Sequence, residues 1–278
     1  LVDKRTSGRR DLADMIVSPK NPLTARVFVN WVWTHHFGQG LIPTPGDLGL
    51  RGEPPSHPEL LDDLARRFID EGKWSARWLH REIIFSQAWR QSSIAQPEAL
   101  VRDPENTYYS RSRRRRLSWE SWRDSLLVAA GTLQLSPRGG PGIDPLDPRN
   151  GARRTLYSWV DRQDVPGILR SFDIANPDTA VHVRTATLVP QQGLVMLNSP
   201  LVIDAAKKVA ERLPAESNTQ ARIEQLWEIV FARNPRRDEV QMVQDWIERA
   251  KGSPSGDFGV WPQLAQALMA TAEFQYVD

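Results

Sequence analysis

The stretch from Leu23 to Phe37 is the part of this sequence with the fewest places to go. Asn21-Pro22 can open a helix there, since proline is tolerated in a first turn whose N–H groups have no partner, and Gly38 supplies the stop. At about 100° per residue its apolar side chains cover almost the whole circumference, and a helix apolar all round belongs in a core. One polar line crosses it: Arg26, Asn30 and Thr34 at i, i+4 and i+8. Buried polar groups need partners, so Arg26 and Asn30 are expected to be mostly buried and bonded to backbone or carboxylate groups.

Other segments repeat the helical period. Ser56-His57-Pro58-Glu59 fits a capping box before Leu60, Leu61, Leu64, Ala65 and Phe68. Ser75 opens a helix carrying Trp78, Leu79 and Ile83, and Ser118 one carrying Trp119, Trp122 and Leu126. Ser199-Pro200 starts a third group with Leu201, Val202, Ala205 and Val209, followed by helices around Trp227, Trp246 and Leu264. Residues 136–190 differ, being rich in glycine and proline with alternating runs at Thr155–Val160 and Val181–Thr187, which read as short strands or extended loops. The expected class is therefore mainly α: a helical N-terminal half over 1–135, an irregular insert with short strands over 136–190, and a helical bundle over 191–278, in one compact domain.

Composition excludes several functions. The 36 basic and 34 acidic residues leave +2, too weak a field to argue for nucleic acid. No apolar run approaches the roughly 18 residues that a membrane helix needs. With no cysteine there is no disulfide framework, no thiolate metal site and no covalent c-type haem. The opening Leu1-Val2-Asp3-Lys4-Arg5 is neither an initiator methionine nor a secretory signal, so the chain reads as a piece of a larger protein.

Gly38 to Pro55 holds five glycines and four prolines, an irregular loop long enough to need a functional or packing reason. Histidines bracket it, with His35 and His36 before, Asp47 inside and His57 after, which makes His36, Asp47 and His57 the catalytic candidates. A plainer reading puts His36 on the packed face, lets His35 reach out and has His57 help the cap of the next helix. Adjacent helical residues diverge by about 100°, so His35 and His36 chelate one ion poorly, and no metal site is expected. Arg111 and the run Arg113–Arg116 suggest a patch for nucleic acid or another anionic polymer, but Arg116, Glu120 and Asp124 at helical spacing favour mutual salt links. Arg138-Gly139-Gly140-Pro141-Gly142 lacks the Lys-Ser/Thr of a phosphate loop. Among the 11 tryptophans, Trp119, Trp122, Trp227 and Trp246 sit on apolar stripes, whereas Trp74, Trp89, Trp159 and Trp261 border loops where sugars could stack. Tyr157 and Trp159 would share one face of a strand.

Ordered strings then become recognisable. They include Asn21-Pro-Leu-Thr-Ala-Arg-Val-Phe-Val-Asn30, Trp33-Thr-His-His-Phe-Gly-Gln-Gly-Leu41, Thr44-Pro-Gly-Asp-Leu-Gly49 and His57-Pro-Glu-Leu-Leu-Asp62. Trp89-Arg-Gln-Ser-Ser93, Asp103-Pro-Glu-Asn106, Arg115-Arg-Leu117, Arg123-Asp124 and Arg154-Thr-Leu-Tyr157 follow, with Thr187, Pro190, Gln192 and Leu194 to Asn198 closing the set. Together these resemble a planctomycete-specific domain of unknown function found C-terminally in large secreted proteins with a cytochrome-c-like haem domain. One departure is Trp31-Val32-Trp33, where an arginine usually begins the string. The resemblance implies a secreted or periplasmic module beside haem-binding domains, with haem held only in a separate domain and no cofactor in this chain.

The expected role is that of a binding or scaffold module recognising polysaccharide or neighbouring domains of the parent protein. The alternative is a glycan-active enzyme, a hydrolase or a haem-coupled oxidoreductase. Either would place its site where loop 38–55 and insert 136–190 meet, with Arg154, Tyr157, Asp173 and Arg184 as ligand-binding candidates from the insert.

Overall fold

The structure, a computed structural model, describes residues 7–136, 138–147, 151–215, 217–250 and 258–277. It is mainly helical. The chain divides into two compact units, the first ending at Arg115 and the second spanning Arg116–Val277.

The first unit contains α1 (Arg9–Ile16), α2 (Pro22–Phe37), α3 (Pro58–Asp70), α4 (Ala76–Ile84) and α5 (Pro97–Arg102). Asn21 caps α2, its Oδ1 accepting from the Leu23 N–H at 3.0 Å, and Gly38 ends it in the left-handed conformation at φ 79°. The core joins Val29, Trp33 and Phe37 of α2 to Leu61, Leu64 and Phe68 of α3 and Leu79 and Ile83 of α4. Burial of α2 is one-sided rather than complete: Trp31 remains 44% exposed and Leu23 54%. Among the described helices α3 and α4 make the main contacts with α2, and two neighbouring helices leave part of its circumference to solvent.

Asn30 behaves as expected. It is fully buried, its Oδ1 accepts from the Ile42 N–H at 2.8 Å and its Nδ2 donates to the Ile42 carbonyl at 3.2 Å. That side chain thus completes a backbone pairing for the loop after α2. The fit requires Gly40, where a Cβ would stand 2.7 Å from Asn30 Oδ1. Arg26 corrects the expectation. Its guanidinium pairs with Asp62 at 2.6 Å but stays 38% exposed, because it flanks the α2–α3 seam where Asp62 is itself solvated. Such a pair is worth about 0–1 kcal/mol, not the cost of a buried ion. Ser56 is no cap either: His57 is the N-cap residue and makes no side-chain cap bond, while Ser56 N–H and Oγ both donate to the Leu41 carbonyl, at 2.8 and 3.3 Å. Ser75 does cap α4, accepting from the Trp78 N–H at 3.3 Å.

The second unit opens with the last residue of β1 (Arg115–Arg116) and α6 (Trp119–Ala129), the latter capped by Ser118. After a 3-10 turn at Thr155–Tyr157 come α7 (Gly167–Ser171), α8 (Pro190–Asn198), α9 (Pro200–Glu211), α10 (Thr219–Phe231), α11 (Arg237–Ala250), α12 (Val260–Met269) and α13 (Ala272–Gln275). β2 (Tyr276–Val277) pairs antiparallel with β1. Its core is built on α9, whose Val202, Ala206 and Val209 are fully buried against α6, α8, α10 and α12. Trp119, Trp122 and Trp227 belong to that core and Trp246 packs on its edge. The Gly/Ser/Pro stretch at 252–256 lies outside the described residues.

The strands expected at 155–160 and 181–187 do not form. The first is the 3-10 turn, the second carries no regular element, and among the described residues the ladder remnants there are single bridges, Gln134 to Arg153 and Ile143 to Ser158. Arg123 explains the first difference. It is fully buried, and its Nε donates to the Pro145 carbonyl at 2.7 Å, its Nη1 to the Arg153 carbonyl at 3.1 Å and to Thr155 Oγ1 at 2.9 Å, and its Nη2 to the Gly151 carbonyl. Asp124 completes the cage, Oδ1 accepting from Thr155 N–H at 2.7 Å and Oγ1 at 2.6 Å. Carbonyls turned towards a guanidinium are unavailable to a sheet. Gly151 is obligatory, since its Cβ would lie 2.7 Å from Arg123 Nη2. Burial lowers the Arg123 pKa, with Asp124 and Asp144 partly opposing.

The arginine run is also used differently from the expected salt links. Arg116 donates to the Thr187 carbonyl at 2.9 Å, to Gln192 Oε1 and to Gln275 Oε1, while Glu120 pairs with Arg184 and Asp124 with Arg154. In the first unit Arg111 donates to the Asp103 and Pro104 carbonyls, Arg113 to that of Glu105 and Arg115 to that of His35. A guanidinium has five fixed donors, which suits it to gathering carbonyls from irregular chain.

Removing the buried cation should unravel the insert's anchor. Arg123→Met is expected to leave four acceptors unsatisfied and to lower stability in urea melts by about 3–5 kcal/mol, with Arg123→Lys recovering only part. A change below about 1 kcal/mol would show that the cage is not structural. A second handle is Glu239, held at about 2 chiefly by its bonds from Arg233 and also by the Arg236 N–H. Its contribution is therefore present above about 4.5 and lost as pH falls towards 2. Glu239→Gln should flatten that acid slope, worth at most about 3 kcal/mol and less because Arg233 is partly solvated.

Candidate functional site

In the first unit the three catalytic candidates each have their own partners. His36 is half-buried on α2, and its Nε2 lies 2.7 Å from Nδ1 of His80, a residue on the outer face of α4. Trp89 meets the His36 ring edge-on at 4.9 Å between centroids. Burial lowers the His36 pKa most, then the neighbouring His80, Arg115 and His35. His35 itself points outwards, as the plainer reading held. Asp47 organises its loop: Oδ1 accepts from Gly49 N–H at 3.0 Å, its carbonyl accepts from Thr44 Oγ1 at 2.9 Å, and Arg51 approaches to 4.0 Å. His57 Nδ1 is 3.0 Å from Ser56 Oγ, with its ring against Tyr108 and Tyr109. Trp33 Nε1 donates to Tyr109 Oη at 3.0 Å, so aromatic packing rather than a shared proton route joins this region.

Among the insert candidates, Arg154 pairs with Asp124 at 3.3 Å and belongs to the Arg123 cage. Tyr157 stacks under the Arg153 guanidinium, 4.2 Å from ring centroid to Cζ. The shared face with Trp159 disappears with the strand; Trp159 is 69% exposed on its own.

Asp173 and Arg184 are brought together. Both line a cleft of about 640 Å³ formed by residues 162–178 and 181–185. Asp173 adopts a left-handed φ of 56° and its carboxylate accepts from Thr187 N–H at 2.7 Å and Thr187 Oγ1 at 2.8 Å. Arg184 donates to both oxygens of Glu120, at 2.8 and 2.9 Å. Sequence reasoning missed three cleft residues, Arg162, Arg170 and Asp178, and it missed His80. Arg170 and Asp173 are three apart, but α7 is too short to give a periodic signal. His80 sat beside Leu79 on a stripe read for packing alone.

Among the described residues no three His, Asp or Glu side chains gather as a metal ion would require. None of the helices there is long and apolar enough to cross a membrane. Loop 38–55 and insert 136–190 fall in different compact units.

The histidine pair gives a measurable expectation. In a pH titration followed by NMR, the His36 midpoint should lie below the ordinary 6.5, and His80→Asn should raise it part of the way, since burial, Arg115 and His35 remain. An unchanged His36 midpoint would mean the two imidazoles are not in contact.

No curated protein and no solved structure matches the chain. The family comparison does give a match: residues 8–247 fit PSD1, described as a protein of unknown function (DUF1553), and with most of its length covered this chain belongs to that family.

Proposed function

We propose that this chain is an extracytoplasmic binding or scaffold module of a planctomycete, haem-linked multidomain protein, and that it recognises polysaccharide at the cleft of the second unit. The observation that carries the reading is the cleft itself. Its volume of about 640 Å³ lies within the range of small-ligand sites, and it presents convergent polar groups, Asp173 and Arg184 among them. A helical core holds this rim of irregular chain, the usual arrangement of a recognition surface. Haem and its chemistry are assigned to another domain of the parent protein, in keeping with a chain that has no cysteine for covalent attachment. Neighbouring domains of that protein are the other proposed partners.

A second reading, a glycan-active enzyme, draws on one observation. His36 Nε2 lies 2.7 Å from His80 Nδ1, a pair of imidazoles able to hold and pass one proton. Cleavage of oligosaccharides by the wild-type chain, abolished in His36→Asn, would establish it.

The binding reading is tested by titrating oligosaccharides into the purified chain in a calorimeter. At least one glycan should bind, and Arg184→Ala should weaken it about tenfold while circular dichroism stays unchanged. A panel in which no glycan binds, or in which Arg184→Ala binds like wild type, would overturn it.

A further inference from the structure

Taking the cleft as a glycan site, an inference that rests on the binding reading above, we propose that its ligand is an acidic sugar carrying carboxylate or sulfate groups, and that Arg170 is the residue that meets the charge. Three guanidinium groups line the cleft, from Arg162, Arg170 and Arg184, against two carboxylates, Asp173 and Asp178, with Glu120 binding Arg184 beside it. Four of those five groups are already engaged. Asp173 holds Thr187, Asp178 pairs with Arg162 at 3.4 Å, and Arg184 is bound to Glu120. Arg170 is different: it is exposed, and among the described residues its guanidinium makes no hydrogen bond or ion pair.

An uncommitted guanidinium in a concave site is suited to a carboxylate or sulfate, two oxygens of which it grips with parallel N–H donors. The cleft also lacks what a neutral sugar would use. No aromatic ring lines it, so the stacking that usually holds an uncharged pyranose face is missing. Ile174, Val181 and Val183 supply apolar contact for the C–H surface of a ring instead. Glu120 then acts as a competitor, holding Arg184 until a ligand oxyanion displaces it.

The test titrates oligogalacturonate, dextran sulfate, neutral dextran and poly-glutamate into the whole chain. Acidic glycans are expected to bind, more weakly as salt rises. Arg170→Gln should lower their affinity roughly tenfold or more without shifting the melting temperature, and Arg170→Lys should restore part of it. Glu120→Gln should raise affinity several-fold by releasing Arg184. Comparing the carboxylated and sulfated arms identifies which oxyanion the site prefers. Dextran binding as tightly as the acidic glycans, with Arg170→Gln without effect, would overturn the acidic-ligand proposal while leaving a glycan-binding module. Poly-glutamate binding as tightly as the glycans would overturn the sugar assignment, and binding of no glycan would remove the underlying reading as well.

Discussion

The second unit depends on one buried cation. Arg123 lies at the centre of a segment that has too few apolar side chains to collapse by itself, and it replaces their contribution with donated hydrogen bonds. Its acceptors are the carbonyls of Pro145, Gly151 and Arg153 and the hydroxyl of Thr155, so a single side chain ties down three points of irregular backbone and one side chain. Among the described residues its carboxylate partner is Asp124, a long ion pair at 3.9 Å whose oxygen is itself occupied by Thr155. Charge neutralisation is thus indirect, through oriented carbonyl dipoles with Asp124 and Asp144 behind them, which is consistent with the lowered pKa. An apolar residue in its place would leave every one of those carbonyls buried without a donor.

Asn30 solves the equivalent problem in the first unit with a neutral group. An amide offers one acceptor and donors on the same plane, and so can bond both the N–H and the carbonyl of Ile42 as a neighbouring strand would. The difference in side chain follows the difference in demand. The loop after α2 presents one donor and one acceptor at a single residue. What the insert turns towards Arg123 is acceptors alone, spread over some ten residues, and they need a group with donors alone. In both places a glycine allows the approach, Gly40 beside Asn30 and Gly151 beside Arg123.

That logic also marks what could be read from the sequence. Helices and many of their ends were legible because their signals are local: Asn21, Ser75 and Ser118 each bond an N–H two or three residues on. Ser56 carried the same local signal and lost to a distant acceptor, the Leu41 carbonyl. The alternating run at 155–160 had strand composition, yet its Thr155 was claimed by Arg123 and Asp124, about thirty residues earlier in the chain. Arg26 looked buried from its helix face, but the face it shares with Asp62 is solvated. Candidate residues follow the same division. Asp173 and Arg184, which line the cleft, stand out in the sequence as polar groups in a Gly/Pro-rich segment, whereas Arg170 and His80 sit beside buried apolar residues, Leu169 and Leu79, and read as ordinary helix positions.

The cleft inherits its character from this mode of folding. Arg116 and Gln192 pin its C-terminal wall through the Thr187 carbonyl, and Gln192 also takes the Ser171 carbonyl, so the Asp173–Thr187 contact closes a ring of hydrogen bonds around the segment. A wall held this way is rigid where it is bonded and polar where it faces solvent. Its side chains therefore divide into those that maintain the backbone and those that remain available. Asp173 is of the first kind, and its left-handed backbone, which few non-glycine residues adopt without support, is what aims the carboxylate at Thr187. Arg170 is of the second. The two lie three residues apart in the same wall, so replacing Asp173 would displace the backbone that presents Arg170, whereas replacing Arg170 would remove a charge and nothing else.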